Sequence, residues 1–334
     1  MESVVKPVRS PKVFAQLSSE SAYSLPFAGI LLERMINMEE TAMNTPLFTG
    51  VCTALVTPFD QGRIDGKALR RLIRRQMEAG VSALLVCGTT GESSTLSPEE
   101  WEYAVKLTVD TVAGQVPVIA GTGTNDLRRT LRRGRLAADL GADAQLVVTP
   151  YYNKTTQDGL VDYYTQVADA SRLPVILYNV PGRTGLNMRP ETALRLAEHP
   201  NIAGVKEASG DLAQLALLAQ SGALPVYCGS DRLNAAALQL GAVGVISVIS
   251  NLLPQDVAQL CSALKKGCVA TANARQRAMN PLIDALFAET SPAPVKAALS
   301  LLGLCGAEVR SPLVPVRDET LQRLRALLPQ EVMA

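Results

Sequence analysis

The chain has 334 residues, 47% of them hydrophobic, which suffices for one large core or two modest ones. Lys and Arg number 32 against 31 Asp and Glu, so the formal net charge of +1 supplies no general electrostatic drive toward nucleic acid or an anionic membrane. One histidine and six scattered cysteines without a CxxC spacing argue against zinc sites, a disulfide framework and His-based triads, and point to a reducing, cytoplasmic setting.

In chain order, residues 1–46 do not share the strand–helix rhythm of the rest of the chain. Their apolar stretch "SLPFAGILL" is too short to span a bilayer and runs into "ERMINMEE" rather than a small-residue cleavage site. Ser, Lys and Arg give a faint transit-peptide flavour, but a leader upstream of a start at Met43 is the preferred expectation. This extension is expected to lie outside the fold.

From residue 51 onward, short β-branched runs alternate with helix-period stretches. Strands are predicted at 51–57, 82–87, 117–121, 144–149, 174–180, 202–206, 225–228 and 243–248, with helices between them such as 68–79, 98–113, 127–140 and 160–171. Ser97 before Pro98 reads as an N-cap followed by proline at the first helical position. The arginines at 128, 129, 132, 133 and 135 read as a solvated helix face, since no interleaved aromatics offer a stacking platform. His199, in "EHPN", reads as a helix-end surface residue rather than a catalyst.

Eight strand–helix units over this span match an α/β class fold, a single (β/α)8 TIM barrel at 47–250. A doubly wound sheet would need a Gly-rich phosphate turn after the first strand, where "TPFDQGRID" stands instead. "GTGTND" at 121–126 comes after a strand but lacks the third glycine of a dinucleotide fingerprint. Helical patterns at 254–265, 270–287, 294–302 and 318–328 exceed what closes a barrel, so a C-terminal helical subdomain is expected at 251–334.

In such a barrel, reactive groups gather where the strands end. Lys206 terminates the sixth predicted strand, and alternation puts Gly204 on its side, leaving space beneath it. A strand-end lysine can equally snorkel to the surface. An amine withdrawn from water keeps a neutral fraction that condenses with a ketone, and the resulting iminium acidifies the adjacent carbon. With histidine excluded, Tyr178 on the neighbouring strand is the candidate proton shuttle, although a buried tyrosine often does no more than find a backbone partner. Thr89 and Thr90 in "GTTGES" offer hydroxyls and backbone N–H groups to a carboxylate or a proton relay. Arg183, on the loop "PGRTG", has the fork geometry to clamp a carboxylate.

"GTTGES" (88–93), "TPYYN" (149–153), "YNVPGRTG" (178–185), "GVKEASG" (204–210), "GSD" (229–231) and "GVISV" (244–248) resemble, in order and spacing, the 4-hydroxy-tetrahydrodipicolinate synthase family. The resemblance runs from about residue 48 to about residue 328. It implies condensation of pyruvate with L-aspartate-4-semialdehyde in lysine and diaminopimelate biosynthesis, with no metal and no cofactor. By motif, it assigns the Schiff base to Lys206, proton exchange to Tyr178, and a hydroxyl relay to Thr89 and Tyr152, the last reaching in from a neighbouring subunit. Thr90 and the backbone at Ile246 would hold pyruvate, Arg183 would meet the semialdehyde's carboxylate, and the assembly would be a homotetramer, a dimer of dimers.

One departure concerns regulation. Where lysine-inhibited members often carry a histidine and a glutamate, this chain has Trp101 and Arg129, and an arginine repels lysine's ammonium groups, so weak or absent lysine inhibition is expected. The alternative within the superfamily is another pyruvate-lysine aldolase, an N-acetylneuraminate lyase or a 2-keto-3-deoxy sugar acid aldolase. Arg183 disfavours it, because the sugar-handling members lack the "RTG" arginine. From other classes, a phosphate-binding barrel isomerase expects a Gly-rich anion site after the last two strands, and a non-catalytic relative expects loss of Lys206 or Tyr178.

Overall fold

The computed structural model describes residues 45–328; the expected leader therefore lies, but for its last two residues, outside the described residues. Ten strands are labelled β1 (Gly50–Ala54), β2 (Phe59–Asp60), β3 (Arg63–Ile64), β4 (Ala83–Val86), β5 (Val118–Gly121), β6 (Ala144–Val148), β7 (Val175–Asn179), β8 (Ile202–Glu207), β9 (Val226–Cys228) and β10 (Gly244–Ser247). Strands β1 and β4 to β10 close into a parallel barrel in sequence order, with β1 pairing to both β4 and β10. All eight predicted strands are present, and the sixth, carrying Lys206, is β8.

Two apolar clusters separate the barrel's faces. The inner one contains Cys52, Leu85, Ile119, Leu146, Ile176, Tyr178, Tyr227 and Ile246. The outer one joins the opposite faces of the same strands to the helices. Burial on both faces makes the strands read as near-continuous apolar runs. Phe48 stacks on Tyr227 with ring centroids 4.4 Å apart and packs into the inner cluster just ahead of β1.

The helices between strands are α1 (Gly66–Glu78), α2 (Pro98–Val112), α3 (Leu127–Asp139), α4 (Gln157–Asp169), α5 (Pro181–Thr184), α6 (Pro190–Leu196), α7 (Leu212–Gln220) and α8 (Asn234–Gln239). Ser97 does cap α2, and Glu100 completes a capping box: its N–H donates to Ser97 Oγ while its carboxylate accepts from the Ser97 N–H. Strands β2 and β3 form a hairpin that the alternating pattern did not reveal. Its two-residue turn, Gln61–Gly62, has φ of 49° and 76°, the positive values that match strand twist. His199 lies at the end of α6, where Nε2 is 3.0 Å from Asp169 and Nδ1 accepts from the Asn201 N–H, a structural role.

After β10 come α9 (Pro254–Lys265), α10 (Val269–Leu286), α11 (Ala293–Leu301) and α12 (Asp318–Leu327), within a residue or so of the four expected helices. This layer reaches back to the barrel. Gly62 N–H donates to Glu308 at 2.8 Å, and Lys296 on α11 pairs with Glu92, beyond β4. Among the described residues, no helix is long and apolar enough to cross a membrane.

Candidate active site

Two strand ends carry the central pair. β7 and β8 run in register with Tyr178 opposite Lys206. The Lys206 ammonium lies over the Tyr178 ring, 4.4 Å from its centroid, a cation–π contact that strengthens as water is excluded. Both side chains are buried, at 5% and 6% exposure, so Lys206 does not snorkel outward. Among the described residues no carboxylate forms an ion pair with Lys206. Across the barrel, burial pushes the Cys52 thiol upward while the charge of Lys206 acts against it, which puts the two within electrostatic reach.

The space around the amine has a different origin from the expected one. A Cβ at Gly204 would meet the Pro225 carbonyl at 2.8 Å and the Tyr227 ring at 3.2 Å, so Gly204 makes room for those groups. Gly229, just past β9, makes room for the lysine: a Cβ there would lie 2.9 Å from Lys206 Cε and 2.7 Å from Ala208 Cβ. A bulge in β8 also interrupts simple alternation, since Val175 pairs with Ile202 and Ile176 with Gly204, leaving Ala203 extra.

The residues just beyond the pair lock the two strands from behind. Asn179 Nδ2 donates to Glu207 at 2.9 Å, Gln214 Nε2 donates to the same oxygen at 2.8 Å, and the Ser209 N–H donates to the other at 2.6 Å. Glu207 is thus a buried carboxylate satisfied by neutral donors rather than by a cation. Asp231 does similar work at β10, accepting from the Val248 and Ile249 N–H groups at 2.9 and 2.8 Å.

Beside the pair opens a cavity of about 220 Å³ lined by Thr89, Ser93, Arg133, Tyr151, Tyr178 and Arg183 among others. It brings three of the expected residues together: Thr89 from the loop after β4, Tyr178 from β7 and Arg183 from α5. Arg183 is steadied by donating from Nη2 to the Ser291 carbonyl at 3.0 Å. Thr90 is buried at 6% exposure and Ile246 at 1%, the latter in the same inner cluster as Tyr178; neither lines the cavity. Tyr152 stands apart. It is 92% exposed, its φ is +69°, and within one chain it is not brought to the cavity.

Two cavity residues were not apparent from the sequence. Tyr151 stands next to Tyr152 in "TPYYN", and only the second tyrosine was expected at the site. Arg133 belongs to the run read as a solvated face, but it turns inward over the ring of Trp101, 5.6 Å from the centroid, and donates to Ser93 Oγ and O at 3.4 Å. Its own burial draws its pKa downward. Trp101 is fully buried and donates from Nε1 to the Gly121 carbonyl at 3.1 Å; Arg129 is exposed. Every third or fourth residue of α3 faces the barrel, which was the available signal for Arg133. Among the described residues, no group of three or more His, Cys, Asp or Glu is placed to hold a metal ion.

Comparison with known proteins agrees with this architecture. The model of the dihydrodipicolinate synthetase family matches residues 47–331. The 4-hydroxy-tetrahydrodipicolinate synthase of Thermotoga neapolitana is 46% identical over 288 residues, covering 84% of this chain and 98% of that protein. The enzyme of the same name from Thermoanaerobacter sp. (strain X514) is 44% identical over 286 residues, covering 85% and 96%. The crystal structure of dihydrodipicolinate synthase from Thermotoga maritima superposes with a TM-score of 0.83 at 44% identity, over 86% of this chain and 99% of that one. With the barrel, the buried lysine and these matches in hand, the chain belongs to the dihydrodipicolinate synthetase family.

Proposed function

We propose that this chain is a Schiff-base-forming lyase that condenses pyruvate with L-aspartate-4-semialdehyde, as 4-hydroxy-tetrahydrodipicolinate synthase does in the diaminopimelate route to lysine. The observation that carries the assignment is the buried Lys206 ammonium stacked on Tyr178 beside a cavity edged by Thr89 and Arg183. The neutral amine adds to the keto carbon of pyruvate, and the carbinolamine loses water as Tyr178 supplies the proton. The iminium takes the electron pair released when a methyl proton leaves, giving an enamine. The enamine carbon attacks the aldehyde, whose oxygen is protonated. The amino group of the joined product then displaces Lys206 from the imine carbon and closes the ring, freeing the enzyme. The imine itself is the electron sink, so the scheme draws on no cofactor or metal.

Thr89 and Tyr152 relay protons to and from Tyr178, Thr90 and the Ile246 backbone hold the pyruvate carboxylate, and Arg183 meets the carboxylate of the semialdehyde. Tyr152 serves the site of a partner subunit within a homotetramer built as a dimer of dimers. Residues 47–250 form the catalytic barrel and 251–334, whose last six residues lie outside the described ones, the helical subdomain, and the enzyme works in the reducing cytoplasm, in keeping with the free state of its six cysteines.

Incubation with pyruvate and then borohydride will add a pyruvate-derived mass to the peptide carrying Lys206, and Lys206→Ala will lose both the adduct and turnover. An adduct on another lysine, or undiminished turnover by the variant, refutes the mechanism. Aspartate semialdehyde will serve as acceptor and N-acetylneuraminate will not be cleaved; the reverse would favour the sugar-acid aldolases. Lysine at millimolar concentration will inhibit weakly or not at all, because Arg133 lies over the Trp101 ring and Arg129 is near enough to act on its charge, so that two cations oppose lysine's ammonium groups there. Strong inhibition by sub-millimolar lysine in a steady-state assay would remove that expectation.

A further inference from the structure

The loop after β4 that carries Thr89 and Thr90 lies between two strained residues. Cys87 has φ of +53° and Glu92 of +54°, values that a non-glycine residue adopts only when its surroundings over-determine it. The loop closes on itself through Gly91 N–H to Gly88 O and Glu92 N–H to Thr89 O, both 3.1 Å. From the barrel side, Thr57 Oγ1 donates to the Gly91 carbonyl at 2.7 Å.

From the other side the C-terminal layer takes hold of Glu92. Lys296 of α11, fully buried, donates to Glu92 Oε1 at 2.7 Å, and the Arg310 N–H donates to Oε2 at 2.9 Å. The Phe59 ring receives both cations, with Lys296 Nζ at 4.1 Å and the Arg310 guanidinium at 4.3 Å from its centroid. Arg310 Nη1 also donates to the Thr95 carbonyl at 3.1 Å. Burial draws the Lys296 ammonium down while the Glu92 carboxylate draws it back up. A buried ion pair is often replaceable by apolar side chains without loss of stability, so bulk stability alone is a poor explanation for it. Direction is the better one: a carboxylate pinned at both oxygens fixes the backbone that bears it.

We infer that Glu92, pinned by Lys296 and Arg310, is a positioning residue through which the C-terminal layer sets the place of Thr89, on the cavity that Tyr178 lines, and of Thr90 next to it. The inference rests on the roles proposed above for the two threonines. Glu92 and Lys296 do not line the cavity, so they act through the loop and not on substrate.

The test pairs Glu92→Leu with Lys296→Met in one chain, which removes both charges at similar volume and deletes the tether. Thermal unfolding and near-ultraviolet circular dichroism report the fold; steady-state kinetics with pyruvate and aspartate semialdehyde report the site. The double variant will fold, its kcat will fall by about ten- to a hundredfold, as for small misplacements of reacting groups, and its KM for pyruvate will rise. Borohydride will still trap pyruvate on Lys206 at saturating pyruvate, because the amine itself is untouched. Wild-type kcat and KM in the folded double variant overturn the inference, as does a loss of kcat fully accounted for by an unfolded fraction. Should the double variant not fold, Glu92→Gln decides: it keeps an acceptor for the Arg310 N–H, and wild-type kinetics there overturn the inference equally. Absence of a Lys206 adduct in the unaltered enzyme would instead defeat the proposed function, so the two failures are distinguishable.

Discussion

Around Lys206, placement of the amine depends on an atom that is missing. Gly229→Ala would add a Cβ 2.9 Å from Lys206 Cε and 2.7 Å from Ala208 Cβ, contacts that real methyl groups do not tolerate. The lysine tip is flexible and gives way; Ala208, beside the strand end, gives way less. The variant will fold with a modest penalty, about 1–3 kcal/mol for overpacking, and the rate of adduct formation with pyruvate will drop by about tenfold or more as the amine is displaced. An unchanged trapping rate would show that the space over Gly229 does not matter. Lys206, Tyr178 and Arg183 were legible in the sequence because each ends a strand or opens the loop after one, and strand ends are where a barrel gathers its chemistry. Gly229 was not, because its role depends on lateral pairing between β8 and β9, where Lys206 lies opposite Tyr227. Spacing along one strand carries no information about the strand beside it. The bulge at Ala203 hid in the same way.

Helix α2 shows how a local signal becomes a long-range one. Ser97, Pro98 and Glu100 mark its start from sequence alone, and the capping box forms as those residue types dictate. The structure adds that Glu100 also pairs with Arg310, far along the chain in the segment before α12. Hydrogen bonds from Arg310 hold the Glu100 carboxyl below its ordinary value of 4.5, with the capping bond from Ser97 contributing in the same direction. A carboxyl with a depressed folded-state pKa binds fewer protons folded than unfolded, so its stabilisation is complete above the unfolded value and is lost as pH falls through the folded one. Unfolding free energy measured below pH 4.5 will therefore decline less steeply in Glu100→Gln than in the unaltered chain. Parallel slopes would mean that the pair is too solvent-screened to matter. Long elements with clean periodicity, α9 to α12 among them, were read to within a residue or so. The β2–β3 hairpin was not, since its strands are two residues each and alternation needs more length than that to register.

At the scale of the whole molecule, Tyr152 is the residue that a single chain leaves unexplained. A large aromatic that is 92% exposed loses the benefit of burial, and its φ of +69° adds backbone strain. Both costs make sense if the exposed ring enters the site of a second copy, as proposed above. Two-fold pairing then gives each dimer two sites, each built from Lys206 of one subunit and Tyr152 of the other. Neither Lys206→Ala nor Tyr152→Phe alone will sustain wild-type turnover. When the two variants are mixed in equal amounts, dissociated and reassociated, half of the dimers will be hybrids. In each hybrid one site holds both defects and the other holds neither. Activity should thus recover to roughly a quarter of the wild-type value, by random pairing of subunits under two-fold symmetry. If Tyr152 served its own chain instead, every site in every hybrid would keep one defect, and the mixture would show no more than the average of the two separate variants.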